Sequence, residues 1–121
     1  MIVSKIVGGL GNQMFQYAAA RALSLNLKVK LGLDVNEFAK YSMHQGFELG
    51  RVFGLNTLCL SDVELRKLFG WRVNPTAQRL AARWPYFPMV DKRIVIEPHL
   101  DFWPGMVDVP SHAYLRGYWQ S

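Results

Sequence analysis

The sequence predicts an α/β domain of three layers built on a mostly parallel sheet. Three observations carry this. The chain opens as strand, glycine turn, helix and second strand, a βαβ unit, and short strand-like runs then alternate with helix-like segments to its end. At 121 residues, half of them apolar, the chain is long enough for one packed core and too short for a second full domain.

Each element has its own local reason. Residues 2–7, Ile-Val-Ser-Lys-Ile-Val, read as a buried strand, and Gly8, Gly9 and Gly11 form the turn that follows. A helix is predicted from about Asn12 to Leu25, with Met14, Tyr17, Ala18, Ala22 and Leu25 on the stripe that faces the sheet. Lys28 to Leu33 alternates with period two, predicting a strand that ends at Asp34. From Val35 to Leu60 the pattern is irregular, with Gly46, Gly50 and Gly54, and predicts a long loop with short helical pieces. Ser61 and Glu64 have the spacing of a capping box, which starts a helix running to about Phe69. Asn74-Pro75 starts another, carried through Ala77, Leu80, Ala81 and Trp84 until Pro85 stops it. Arg93–Glu97 and Ala113–Tyr118 are the remaining strands, separated in part by the aromatic turn His99–Gly105.

Composition bounds the partners. The balance of 14 basic to 9 acidic residues gives +5, which suits a phosphorylated ligand or an anionic surface, and the dispersal of the basic residues argues against nucleic acid. The single cysteine, Cys59, excludes an internal disulfide and is expected to be a buried thiol within an apolar run. The opening residues do not resemble a secretory leader, and no run approaches the roughly 20 apolar residues of a membrane span, so a cytoplasmic location is expected. The histidines His44, His99 and His112 are far apart and lack metal-ligand spacing, so no metal is expected.

The glycine turn is the candidate ligand-facing loop, because glycines let another molecule approach the backbone and helix N-termini favour anions. Gly9 and Gly11 satisfy the first two positions of a dinucleotide pattern, but Met14 stands where its third glycine belongs. Asp34 lies where such a fold places a ribose-binding carboxylate and is equally suited to cap the segment after it. Asn12 reads either as the N-cap of the first helix or as a site residue. Gln13 and Gln16 carry amides suited to sugar hydroxyls, Gln16 reading equally as a solvated helix position. Phe15 and Tyr17 are expected in the core. Tyr118, Trp119 and Gln120 fall at the carboxyl edge of the last strand, where open α/β sheets bind ligands, or form a buried aromatic strand end. Glu48, Asp62, Glu64, Asp91 and Asp101 show no pairing that nominates a general base.

The longer run GGLGNQMFQYAAARAL resembles the amino-terminal signature of glycosyltransferase family 11, the α-1,2-fucosyltransferases, and the terminal GYWQS resembles a second segment of that family. A third match is Leu33-Asp34 with Tyr41, His44 and Phe47-Glu48-Leu49. The resemblance implies a Rossmann-like domain, the acceptor-side half of a two-domain GT-B transferase. It also implies transfer of L-fucose from GDP-fucose to the 2-hydroxyl of a galactose-terminated glycan with inversion and without metal, in bacterial surface-glycan synthesis, with possible contact at the inner membrane. Family members carry an HxRRxDY motif after GYWQS, whose arginine contacts the donor diphosphate, and this chain has none. It therefore resembles the amino-terminal portion alone, inactive without the donor-binding domain. By the same resemblance Asn12 is the catalytic-site residue, and Gly9, Gly11, Gln13, Gln16, His44, Tyr118, Trp119 and Gln120 are the donor- or substrate-binding residues. Two other readings stay open from the residues themselves: a non-enzymatic carbohydrate-binding domain, and a fragment of an NAD- or FAD-dependent oxidoreductase using Gly9, Gly11 and Asp34.

Overall fold

The computed structural model describes residues 1–39, 49–54, 57–70, 93–96 and 109–119. Its elements are β1 (Ile2–Lys5), α1 (Leu10–Leu27), β2 (Leu31–Asp34), a 3-10 turn (Asn36–Ala39), α2 (Leu49–Phe53), α3 (Asp62–Phe69), β3 (Ile94–Ile96) and β4 (Ala113–Arg116). The predicted helix over 74–84, the aromatic turn at 99–105, His44 and Gln120 lie outside the described residues.

The four strands form one parallel sheet in the order β2-β1-β4-β3. β1 is internal, with Ile2 opposite Leu31 on one side and Ala113 on the other. All four of its residues are buried, which is what a parallel strand covered on both faces requires. Side-chain alternation then divides the core into two. Ile2, Ala113 and Leu115 pack with Ala20 and Leu23 of α1, while Val3 and Tyr114 pack with Leu65 and Phe69 of α3. With a helix on each face, the described architecture is the expected three-layer α/β sandwich. Each fully buried Leu or Phe contributes roughly 1.5–3 kcal/mol. Outside β2, residues 58–60 run along the sheet edge: Leu33 N–H donates to Leu58 O at 2.8 Å and Leu60 N–H to Leu33 O at 2.9 Å. Gly32 permits this closeness, since a β-carbon there would stand 2.9 Å from Leu60 Cδ1.

The rotation of α1 differs from expectation. Met14 and Leu25 are 45% and 60% exposed, Ala18 and Ala22 are also exposed, and the buried face is Gln13, Gln16, Ala20, Leu23 and Ser24. Counting only apolar residues misses a face whose first turns are amides each bonded to the backbone of the turn. Phe15 likewise lies outside the core, 48% exposed, and Tyr17 is half-buried.

α1 also runs two residues further than Leu25. Lys28 closes it in the left-handed region at φ 57°, with Lys28 N–H to Leu25 O and Val29 N–H to Ser24 O in a Schellman arrangement. Lys28 therefore belongs to the helix end, and β2 starts only at Leu31. Cys59 is exposed because the bridging segment turns Leu60, not Cys59, into the core. The Ser61 capping box forms as expected: Glu64 N–H donates to Ser61 Oγ at 3.2 Å and Ser61 N–H to Glu64 Oε1 at 3.3 Å.

Candidate functional site

Because β1 and β4 are parallel neighbours, the turn after β1 and the segment 117–119 after β4 emerge at the same edge of the sheet. This is the carboxyl edge, where open α/β sheets bind ligands.

The turn is shaped by its own helix. Gly8 sits at φ +83°, a conformation that penalises side chains, and a β-carbon on it would lie 2.8 Å from Asn12 Nδ2. Gln13 Nε2 donates to Gly8 O at 3.0 Å, and Val7 N–H donates to Gln16 Oε1 at 3.0 Å. Both glutamines are fully buried. Their amides are thus engaged with the backbone of the loop from beneath, and Gln16 is not a solvated position.

Above them the helix starts without a side-chain cap. The N-cap residue is Gly9, which offers no side-chain cap, and the first turn holds no acidic residue. The partial positive charge of the helix terminus is therefore not offset by an acidic residue of its own first turn, an arrangement that suits an anionic ligand group. Asn12 is not the N-cap expected from its type. It occupies the third helical position, half-buried, with its amide over Gly8. Gly11 is exposed, and among the described residues nothing lies within 4 Å of where its β-carbon would stand, so none of them blocks approach to the backbone there.

Asp34 is committed inward. Its Oδ1 accepts from Asn36 N–H at 3.1 Å and Asn36 Nδ2 at 2.8 Å, and its Oδ2 accepts from Tyr114 OH at 2.5 Å. This is the capping role, at the start of the 3-10 turn, and it leaves the ribose-binding role without support. Beside it Lys5 Nζ lies 3.4 Å from Glu37 Oε2, with the lysine side chain 8% exposed. Lys5 and Glu37 offset each other, while the Asp34 carboxylate is held, among the described residues, by neutral donors alone.

At the end of β4, Tyr118 is 38% exposed, while Trp119 is half-buried against the α1-side core with φ 56°. A tryptophan in the left-handed region is strained backbone of the kind found at binding sites. His112 stacks on Phe69 at 4.5 Å, with Nε2 3.1 Å from Leu68 O, well inside a structural environment. Among the described residues no group of three or more His, Cys, Asp or Glu gathers as metal ligands, and no helix is long and apolar enough to cross a membrane.

The residue that sequence reasoning overlooked is Gly8. The paired glycines were the available signal, since the first carries the positive φ and the second only the extended cap at φ −76°.

The fold and this edge define a Rossmann-like α/β domain with an uncapped helix terminus over an amide-braced turn. Over all 121 of its residues the chain is 40% identical to the alpha-1,2-colitosyltransferase of Escherichia coli, a glycosyltransferase. It spans 39% of that protein's length. No family model matches the chain, and no solved structure matches it significantly.

Proposed function

We propose that the chain forms the acceptor-side domain of a GT-B glycosyltransferase that moves a 6-deoxy-L-sugar, L-fucose in the first instance, from its GDP conjugate to the 2-hydroxyl of a terminal galactose with inversion. The observation that carries the reading is the 40% identity to a glycosyltransferase over all 121 residues of the chain. In this reading the uncapped end of α1 faces the diphosphate, where preorganised N–H donors lower the cost of the leaving charge without a metal. Asn12, over Gly8, is the catalytic-site residue that orients the sugar or leaving phosphate. Gly9 and Gly11 admit the donor backbone-close, and His44, Tyr118, Trp119 and Gln120 contact donor or acceptor. The remaining diphosphate contacts come from a companion donor-binding domain, and the product is a surface glycan of a bacterium, made at the cytoplasmic side of its membrane.

The relative's name leaves the sugar itself as the finer question, since colitose is fucose without its 3-hydroxyl. A chimera in which this chain replaces the matching stretch of the Escherichia coli enzyme, supplied with GDP-colitose or GDP-fucose and a β-galactoside, tests the transferase reading by GDP release, and galactoside-dependent turnover is the expected result. Because the donor-binding half of the chimera is the relative's, the sugar is read from the same assay on this chain joined to its own donor-binding domain, where turnover of GDP-fucose is expected. Turnover of GDP-colitose alone there would retain the transferase and replace the donor. Galactoside binding without turnover of either would overturn the reading in favour of a carbohydrate-binding domain.

A further inference from the structure

The amide of Gln16 is an inefficient choice for stability. Its Oε1 satisfies Val7 N–H, but its Nε2 is fully buried with no hydrogen-bond partner among the described residues. A methionine of similar length would fill the same space, exchanging one unsatisfied donor, Nε2, for another, Val7 N–H. The amide therefore brings little net stability over that alternative. What it does bring is geometry.

Gln16 ties the last residue before the glycine pair to the second turn of α1, and Gln13 ties Gly8 to the first. Gly8 is in turn the surface on which the Asn12 amide lies. We infer that Gln16 is a positioning residue: through Val7 and Gly8 it sets where the Asn12 side chain stands at the carboxyl edge. This rests on the reading that Asn12 faces the reacting sugar, although the placement of Asn12 is testable without it.

The placement is read first, in this chain, from the side-chain amide resonances of Asn12 by NMR. Gln16→Met is expected to shift them while the β4 amides of Ala113–Arg116 stay in place, and Gln16→Glu, which keeps an acceptor for Val7, is expected to leave them closer to the parent positions. Unmoved Asn12 resonances in Gln16→Met would overturn the inference, and if that variant does not fold, displacement by Gln16→Glu equal to that of Asn12's other neighbours would do the same. Function is read second, in the active chimera. Misplacement costs turnover rather than binding, so Gln16→Met should lower kcat roughly ten- to hundredfold with little change in KM. In an Asn12→Ala background the same substitution should have almost no further effect. Equal losses in both backgrounds would mean that Gln16 acts independently of Asn12 and would sink the proposal. A parent chimera without turnover counts against the transferase reading alone, because the resonance test stands apart from it.

Discussion

Tyr114 and Asp34 are 80 residues apart in sequence and joined by a buried 2.5 Å hydrogen bond from the phenol to the carboxylate. One lies on β4 and the other on β2, so the bond passes beneath β1 and clasps its two neighbours together. The sheet is thus fastened side to side at the edge that carries the candidate site.

Removing the hydroxyl with Tyr114→Phe leaves Asp34 Oδ2 buried without that partner, and the expected loss is about 1–3 kcal/mol of unfolding free energy. Urea denaturation measures it. A variant as stable as the parent would mean that the clasp contributes nothing to the fold.

The observed rotation of α1 makes a contrast between two leucines. Leu23→Ala should cost about 2–5 kcal/mol, as a buried core truncation does, whereas Leu25→Ala, on the exposed face, should stay within roughly 0.5 kcal/mol. The opposite order in thermal or urea unfolding would restore the stripe predicted from apolar residues alone.

Gly8 and Gly11 should respond oppositely. Gly8→Ala forces a side chain into φ +83° and against Asn12, at an expected cost of about 1–3 kcal/mol. Gly11→Ala meets no atom and should be neutral or gain up to about 1 kcal/mol from helix propensity. If Gly11→Ala nevertheless abolishes turnover in the active chimera, its openness serves the donor; if turnover persists, Gly11 leaves the site.

The capping box at the start of α3 is separable from all of this. Ser61→Ala should cost about 1 kcal/mol, detected as faster amide exchange in Asp62–Phe69, with the glycine turn unchanged. Exchange unaltered in that helix would show the cap to be idle.

Where local chemistry decides, the sequence was readable. The Ser61–Glu64 box and the strand–turn–helix–strand order depend on nearest-neighbour spacing and form as that spacing predicts, and strands lie within the runs read as 93–97 and 113–118, but β1 stops at Lys5, β2 starts only at Leu31 and β4 stops at Arg116. The face of α1 was not readable by the same logic, because Gln13 and Gln16 are hidden by bonds to a turn whose shape emerges only once the helix is docked. Cys59 was misplaced for a related reason: an apolar run has no inside until its pairing with Leu33 fixes which side chain points inward. Of the candidate site, Asn12 and the glycines were legible as a motif, while the role of Gly8 required its dihedral angle and the inward commitment of Asp34 required its partner 80 residues away.

The position of β1 between β2 and β4 also has a temporal consequence. During synthesis β1 must wait for Ala113, whose N–H donates to Met1 O, before its second edge is filled. With the N-terminal ammonium bound to Ser111 O across 110 residues, that interval is roughly 5–20 s at ordinary rates of synthesis. Until then the nascent chain leaves one side of β1 unpaired, the kind of edge on which chains aggregate. The yield of folded protein should therefore follow the pace of translation between β1 and β4.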